Sequence, residues 1–117
     1  MSRIDNIPKP PRSDEDLARM VVNVAKAAQV DFIICITQTG VLAQHLYQLS
    51  GDFPVIATTT NREMYDTLIK AGLEVLRLPL HTADKYNQIR HAISVVLRSS
   101  SVSAGDLIAC VIGRDVY

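Results

Sequence analysis

The chain has 117 residues, with twelve basic and twelve acidic side chains in balance and 48% hydrophobic residues. That length suits one domain burying roughly two thirds of its unfolded surface. The cancelled charge excludes the basic footprint of a nucleic-acid binder and any global attraction to an anionic membrane. The longest apolar run, Phe32 to Ile36, is far too short to cross a bilayer, and MSRIDNIPKPPRSDED lacks the apolar stretch of a secretory leader. A cytoplasmic domain with no nucleic-acid or membrane partner is therefore expected.

Residues 1–12 read as a flexible N-terminal arm, with three prolines, alternating charge and little to bury. The domain proper is expected over 13–117. Ser13 caps a first helix, with Asp14, Glu15 and Asp16 in the turn where the helix dipole favours negative charge. Leu17, Met20, Val21, Val24 and Ala28 recur at helical spacing as one apolar face. Phe32-Ile33-Ile34-Cys35-Ile36 is apolar at every residue, the pattern of a central parallel strand covered on both sides.

After Thr37-Gln38-Thr39-Gly40, a second helix turns Leu42, Leu46 and Leu49 inward and stops at Ser50-Gly51. Pro54 opens a buried strand at Val55-Ile56-Ala57. Thr60 and Glu63 have the spacing of a capping box for a third helix ending at Gly72. A third strand follows over Leu73–Leu80, then a helix from about Ala83 to Arg98 burying Ile89, Ala92, Ile93, Val96 and Leu97. The serines at 99–101 and 103 form its exit loop, Gly105-Asp106 marks a turn, and Leu107–Ile112 is the fourth strand. This alternation predicts an α/β fold: a three-layer sandwich with a mostly parallel sheet of four to five strands and helices on both faces.

Ligands of open parallel sheets bind beyond the carboxyl ends of the strands. Four loops are expected there: Thr37–Val41, Thr58–Arg62, His81–Lys85 and Gly113–Tyr117. Thr37, Gln38, Thr39 and Gly40 place hydroxyls and a permissive backbone at a helix start, where free N–H groups attract anions. Thr58, Thr60 and Asn61 repeat the arrangement one loop over, and Arg114 follows the fourth strand. Each loop admits a second reading, in which its hydroxyls only cap helices.

Catalytic signatures are absent: the sequence has no Gly-x-Ser-x-Gly elbow, Walker loop or Gly-x-Gly-x-x-Gly turn. His81 with Asp84 is the one acid–base pairing the sequence suggests. His45 reads as a surface residue, and Arg90, His91, Ser94 and Arg98 as a solvated stripe. Cys35 and Cys110, both inside apolar strand-like segments, read as reduced and buried. Neither has the neighbours of a zinc site, so no metal or cofactor is expected.

Phe32-Ile-Ile-Cys-Ile-Thr-Gln-Thr-Gly-Val-Leu-Ala-Gln-His-Leu resembles the C-terminal domain of the pyruvate kinase family, where a buried strand runs into Thr-x-Ser/Thr-Gly and a helix. Pro54-Val-Ile-Ala-Thr-Thr-Thr-Asn-Arg-Glu resembles that family's next strand and helix start. Gly105-Asp-Leu-Ile-Ala-Cys-Val-Ile-Gly113 is similar to its late Gly-Asp strand. The resemblance covers roughly 13–113 and implies a domain without the catalytic site, so pyruvate kinase activity is not expected. It also implies a phosphorylated effector resting on Thr37, Thr39 and Gly40. Val41 departs from the basic or polar residue common after that glycine. The family adds a final strand after the glycine turn, whereas this sequence stops at Tyr117, so the strand is lacking or the sequence is part of a longer protein. Gln88-Ile-Arg-His-Ala-Ile93 is similar to domains preceding archaeal-type diadenylate cyclases.

Three functions are thereby set against one another. The first is a regulatory domain binding a phosphorylated metabolite or nucleotide at the carboxyl edge. The second is an assembly module forming a homo-oligomer, possible also as the front of a cyclase-like protein. The third is an enzyme using His81 and Asp84.

Overall fold

The computed structural model describes residues 13–51, 53–78, 84–99, 103 and 105–113. In chain order the elements are α1 (Asp14–Ala28), β1 (Phe32–Ile36), α2 (Val41–Ser50), β2 (Val55–Thr59), α3 (Arg62–Lys70), β3 (Glu74–Arg77), α4 (Lys85–Arg98) and β4 (Ile108–Ile112). The strands form one parallel sheet in the order β3-β2-β1-β4. Chain order advances from β1 to β3 across one half of the sheet, then jumps back to place β4 on the far side of β1. That reversal makes the β1/β4 boundary the topological switch point.

Every residue of β1 is buried because it lies between two strands and two helical layers. On one face, Ile33, Cys35, Val55, Ala57 and Val75 meet Ala18, Val22 and Ala25 of α1, Leu42, Ala43 and Leu46 of α2, and Leu68 of α3. On the other, Phe32, Ile34, Ile36 and Ile56 meet Ala92 and Val96 of α4. Strand alternation therefore feeds two separate cores from one run of apolar residues.

Ser13 caps α1, accepting from the Asp16 N–H at 3.1 Å, as its spacing predicts. The buried seam of α1 is Ala18-Val22-Ala25, one position away from the expected apolar face, and Met20 and Val24 are 47% and 59% exposed. The small alanines let α1 lie close to the sheet and α2, which turns the larger side chains toward the rim. A capping box at Thr60 does not form. Asn61 is the N-cap of α3 and accepts from the Met64 N–H at 3.1 Å, so the helix starts one residue later than expected.

In α4, Leu97 is half exposed whereas Gln88 is buried, so the inward stripe is Gln88-Ala92-Val96, turned about the helix axis from the expected face. His45 and His91 are only partly exposed, and the His91 Nδ1 is buried without a hydrogen-bond partner among the described residues. Arg98 does reach Ser94, at 2.9 Å from Nη2 to Oγ. Cys35 is buried as expected, but Cys110 is exposed, β4 being the outermost strand on its side of the sheet among the described residues. The arm at 1–12, His81 and Arg114 lie outside the described residues.

Candidate functional site: the carboxyl edge around Thr37–Gly40

The loop after β1 is built from the backbone outward. The Thr37 N–H donates to the Thr58 carbonyl at 3.0 Å, which extends the β1–β2 ladder one step past the strand. Thr37 Oγ1, fully buried, accepts from the Gly40 N–H at 2.9 Å and folds the loop back on itself. Gly40 adopts φ +77°, a left-handed conformation that ordinary side chains resist. A Cβ there would meet Met64 Sδ at 2.5 Å and Leu68 Cδ2 at 3.1 Å, so the glycine also allows α2 to start hard against α3.

Gln38 Nε2 donates to Thr60 Oγ1 at 2.8 Å and ties the β1 loop to the β2 loop. Asn61 is committed to capping α3. Thr59 Oγ1 accepts from the Asn61 N–H at 3.1 Å, a role the sequence did not suggest. Thr58 belongs to the other face: paired with Ile36, it points toward the α4 layer, where its fully buried hydroxyl has no partner among the described residues.

Gly113 donates its N–H to the Ile36 carbonyl at 2.7 Å, bringing the end of β4 beside Thr37 at the switch point. Thr37–Gly40, Thr60 and the end of β4 thus share one edge. Asp84 caps α4, accepting from the Tyr86 N–H at 2.9 Å and from Asn87 Nδ2 at 3.1 Å, so its carboxylate is already engaged. Among the described residues, no three His, Cys, Asp or Glu side chains gather as a metal would require.

The helix starts differ in one respect. Ser13, Asn61 and Asp84 each cap their helices through the side chain. The α2 N-cap is Gly40, which has no side chain to offer, and the Val41 N–H reaches Thr39 Oγ1 only at 3.5 Å. Thr39 itself is exposed. The first-turn amides of α2 and the positive end of its dipole therefore sit beside an exposed hydroxyl, the arrangement suited to an anionic group.

The family model of the pyruvate kinase alpha/beta domain matches residues 15–117. The chain belongs to the pyruvate kinase α/β-domain family. Solved structures agree. A pyruvate kinase from Cryptosporidium parvum is 25% identical with a TM-score of 0.75, the match covering 93% of this chain and 22% of that one. A second from the same organism is 27% identical at TM-score 0.72, covering 97% and 23%. A third, solved in complex with ADP, is 26% identical at TM-score 0.71, covering 94% and 22%. The chain thus spans less than a quarter of the length of these pyruvate kinases. No curated protein matches it by sequence. Among the described residues, no helix is long and apolar enough to cross a membrane.

Proposed function

We infer that this chain is a non-catalytic regulatory domain that binds a phosphorylated metabolite or nucleotide at the carboxyl edge of its sheet. The observation that carries this reading is the start of α2: a helix whose N-cap offers no side chain, at the switch point of the sheet, beside the exposed Thr39. A phosphate group there accepts from the first-turn amides and from the Thr39 hydroxyl. The Gln38–Thr60 bond holds the two loops so that little ordering remains to be done on binding. Arg114, next after Gly113 in sequence, supplies the countercharge. The membership in the pyruvate kinase α/β-domain family supports a regulatory rather than a catalytic role, and the capping duty of Asp84 argues against its use as an acid or base.

A thermal-shift titration with inorganic phosphate, phosphorylated sugars, ATP and cyclic dinucleotides tests the site. A ligand at about a hundred times its dissociation constant adds roughly 2.7 kcal/mol, which moves the midpoint of a domain this size on the order of 10 °C. Thr39→Glu fills the site with a tethered carboxylate and is expected to erase that shift while keeping the fold. A shift that persists unchanged in Thr39→Glu removes this loop from the site, and a panel without any shift rejects the binding function.

A further inference from the structure

We propose that Met64 is an oxidation site whose sulfoxide releases the Gly40 loop and loosens the start of α2. The residue belongs to the first turn of α3, where the Asn61 side chain accepts from the Met64 N–H at 3.1 Å and fixes the point at which its own side chain leaves the helix. The thioether lies against the open face of Gly40: a Cβ there would stand 2.5 Å from Sδ and 3.4 Å from Cγ. Leu68 Cδ2, 3.1 Å from the same point, closes the other side. Met64 packs against the core shared by α1, α2 and the sheet, yet it is only partly buried. Apolar walls therefore surround the thioether of a residue that a small oxidant can still reach.

Two contacts hold Gly40 in its left-handed turn. Thr37 Oγ1 accepts from its N–H at 2.9 Å on one side, and the Met64 thioether covers the other. The Gly40 carbonyl then accepts from the Gln44 N–H at 3.0 Å, the first backbone bond of α2. An unbranched, polarizable side chain suits such an irregular gap. Its weakness is chemical, because the same sulfur is open to oxidation.

Hydrogen peroxide supplies the oxygen. The sulfur lone pair attacks, the O–O bond breaks, an S=O bond forms and water leaves; sulfur loses two electrons and the peroxide gains them. The product is polar where the thioether was apolar. Its oxygen has no room between Gly40 and Leu68, where even a Cβ does not fit, and burial there without a hydrogen bond is costly. The side chain swings out to solvent, Gly40 loses its cover and α2 frays at its first bond. A methionine sulfoxide reductase reverses the change. Met20, 47% exposed, lies instead along β4 beside Ala109 and Val111 and serves as an internal control. The consequence for ligands rests on the binding function proposed above: a phosphate that meets the first-turn amides of α2 is held less well by a frayed helix start.

Peroxide treatment of the intact chain, followed by peptide mass mapping and residue-resolved hydrogen exchange, tests the site. Met64 is expected to take up one oxygen, more slowly than Met20. The amides of Gly40 and Gln44 should then exchange about tenfold faster and recover after reductase treatment. Met64→Leu, a volume-conserving exchange that keeps Met1, Met20 and both cysteines, should fold and show no acceleration under peroxide. Inorganic phosphate, titrated by thermal shift, should be needed at about tenfold higher concentration by the oxidised protein than by the reduced one. The proposal is overturned by a Met64 that stays reduced under peroxide exposures converting Met20 completely in the folded protein. It is equally overturned by a sulfoxide that leaves both amides unchanged, by the same acceleration in Met64→Leu, or by identical phosphate responses of two forms that both bind. A reduced protein that ignores phosphate refutes the binding function alone, and the two amides still decide the oxidation.

Discussion

Replacing Gly40 by alanine probes the loop on which the proposed site depends. Two costs follow from the geometry. At φ +77° the new residue sits in the left-handed region, a penalty of roughly 1–2 kcal/mol for a residue with a Cβ. That Cβ also meets Met64 Sδ at 2.5 Å and Leu68 Cδ2 at 3.1 Å. The Met64 thioether can swing aside, but Leu68, the inward residue of α3, is fully buried, so overpacking adds about 1 kcal/mol. The sum, about 2–3 kcal/mol, lowers the melting midpoint by on the order of 10 °C. Urea and thermal unfolding followed by circular dichroism measure it directly. A double-mutant cycle with Leu68→Ala separates the two costs, because the coupling between the two changes reports the contact share and leaves the backbone share in place. A Gly40→Ala protein within about 0.5 kcal/mol of wild type would refute the reasoning, since neither strain nor contact would then be present.

Two further outcomes follow from buried and half-buried groups. Thr58→Val exchanges an unpartnered buried hydroxyl for a methyl of the same shape and should leave stability unchanged or raise it by about 1 kcal/mol; a loss of more than that in urea unfolding would show that the hydroxyl has a partner. Desolvation pushes the Cys110 thiol up to about 11 although the residue is exposed on the outermost described strand. Its thiolate is therefore scarce near neutrality, and alkylation by iodoacetamide in dilute solution should run about ten- to a hundredfold slower than that of a peptide thiol. Because the folded value lies above the unfolded one, the linked stability is intact below the ordinary thiol range and is lost as pH rises toward 11. Cys110→Ser should flatten that alkaline loss, and equal slopes for the two proteins would contradict it.

The order of elements and the parallel sheet were legible in the sequence because they rest on local signals. Phe32–Ile36 is apolar at every position, Ser13 precedes three acidic residues, and glycine or proline separates the periodic segments. The threonine loop was legible for the same reason, as a strand end meeting a helix start. Local pattern does not determine which of two adjacent apolar stripes faces inward: Ala18-Val22-Ala25 won over Leu17-Met20-Val24 because α1 had to fit against both α2 and the sheet.

Nor could spacing decide whether Thr60 or Asn61 would cap α3. The answer came from Gln38, twenty-two residues away, which engages the Thr60 hydroxyl. The exposure of Cys110 likewise depends on strand order. Ile33-Ile34-Cys35 and Ala109-Cys110-Val111 read alike in sequence, yet one lies at the centre of the sheet and the other at its rim. Local chemistry sets which segments become strands and helices, whereas their neighbours are set by contacts between residues distant in the chain, and those contacts decide which apolar side chains stay exposed.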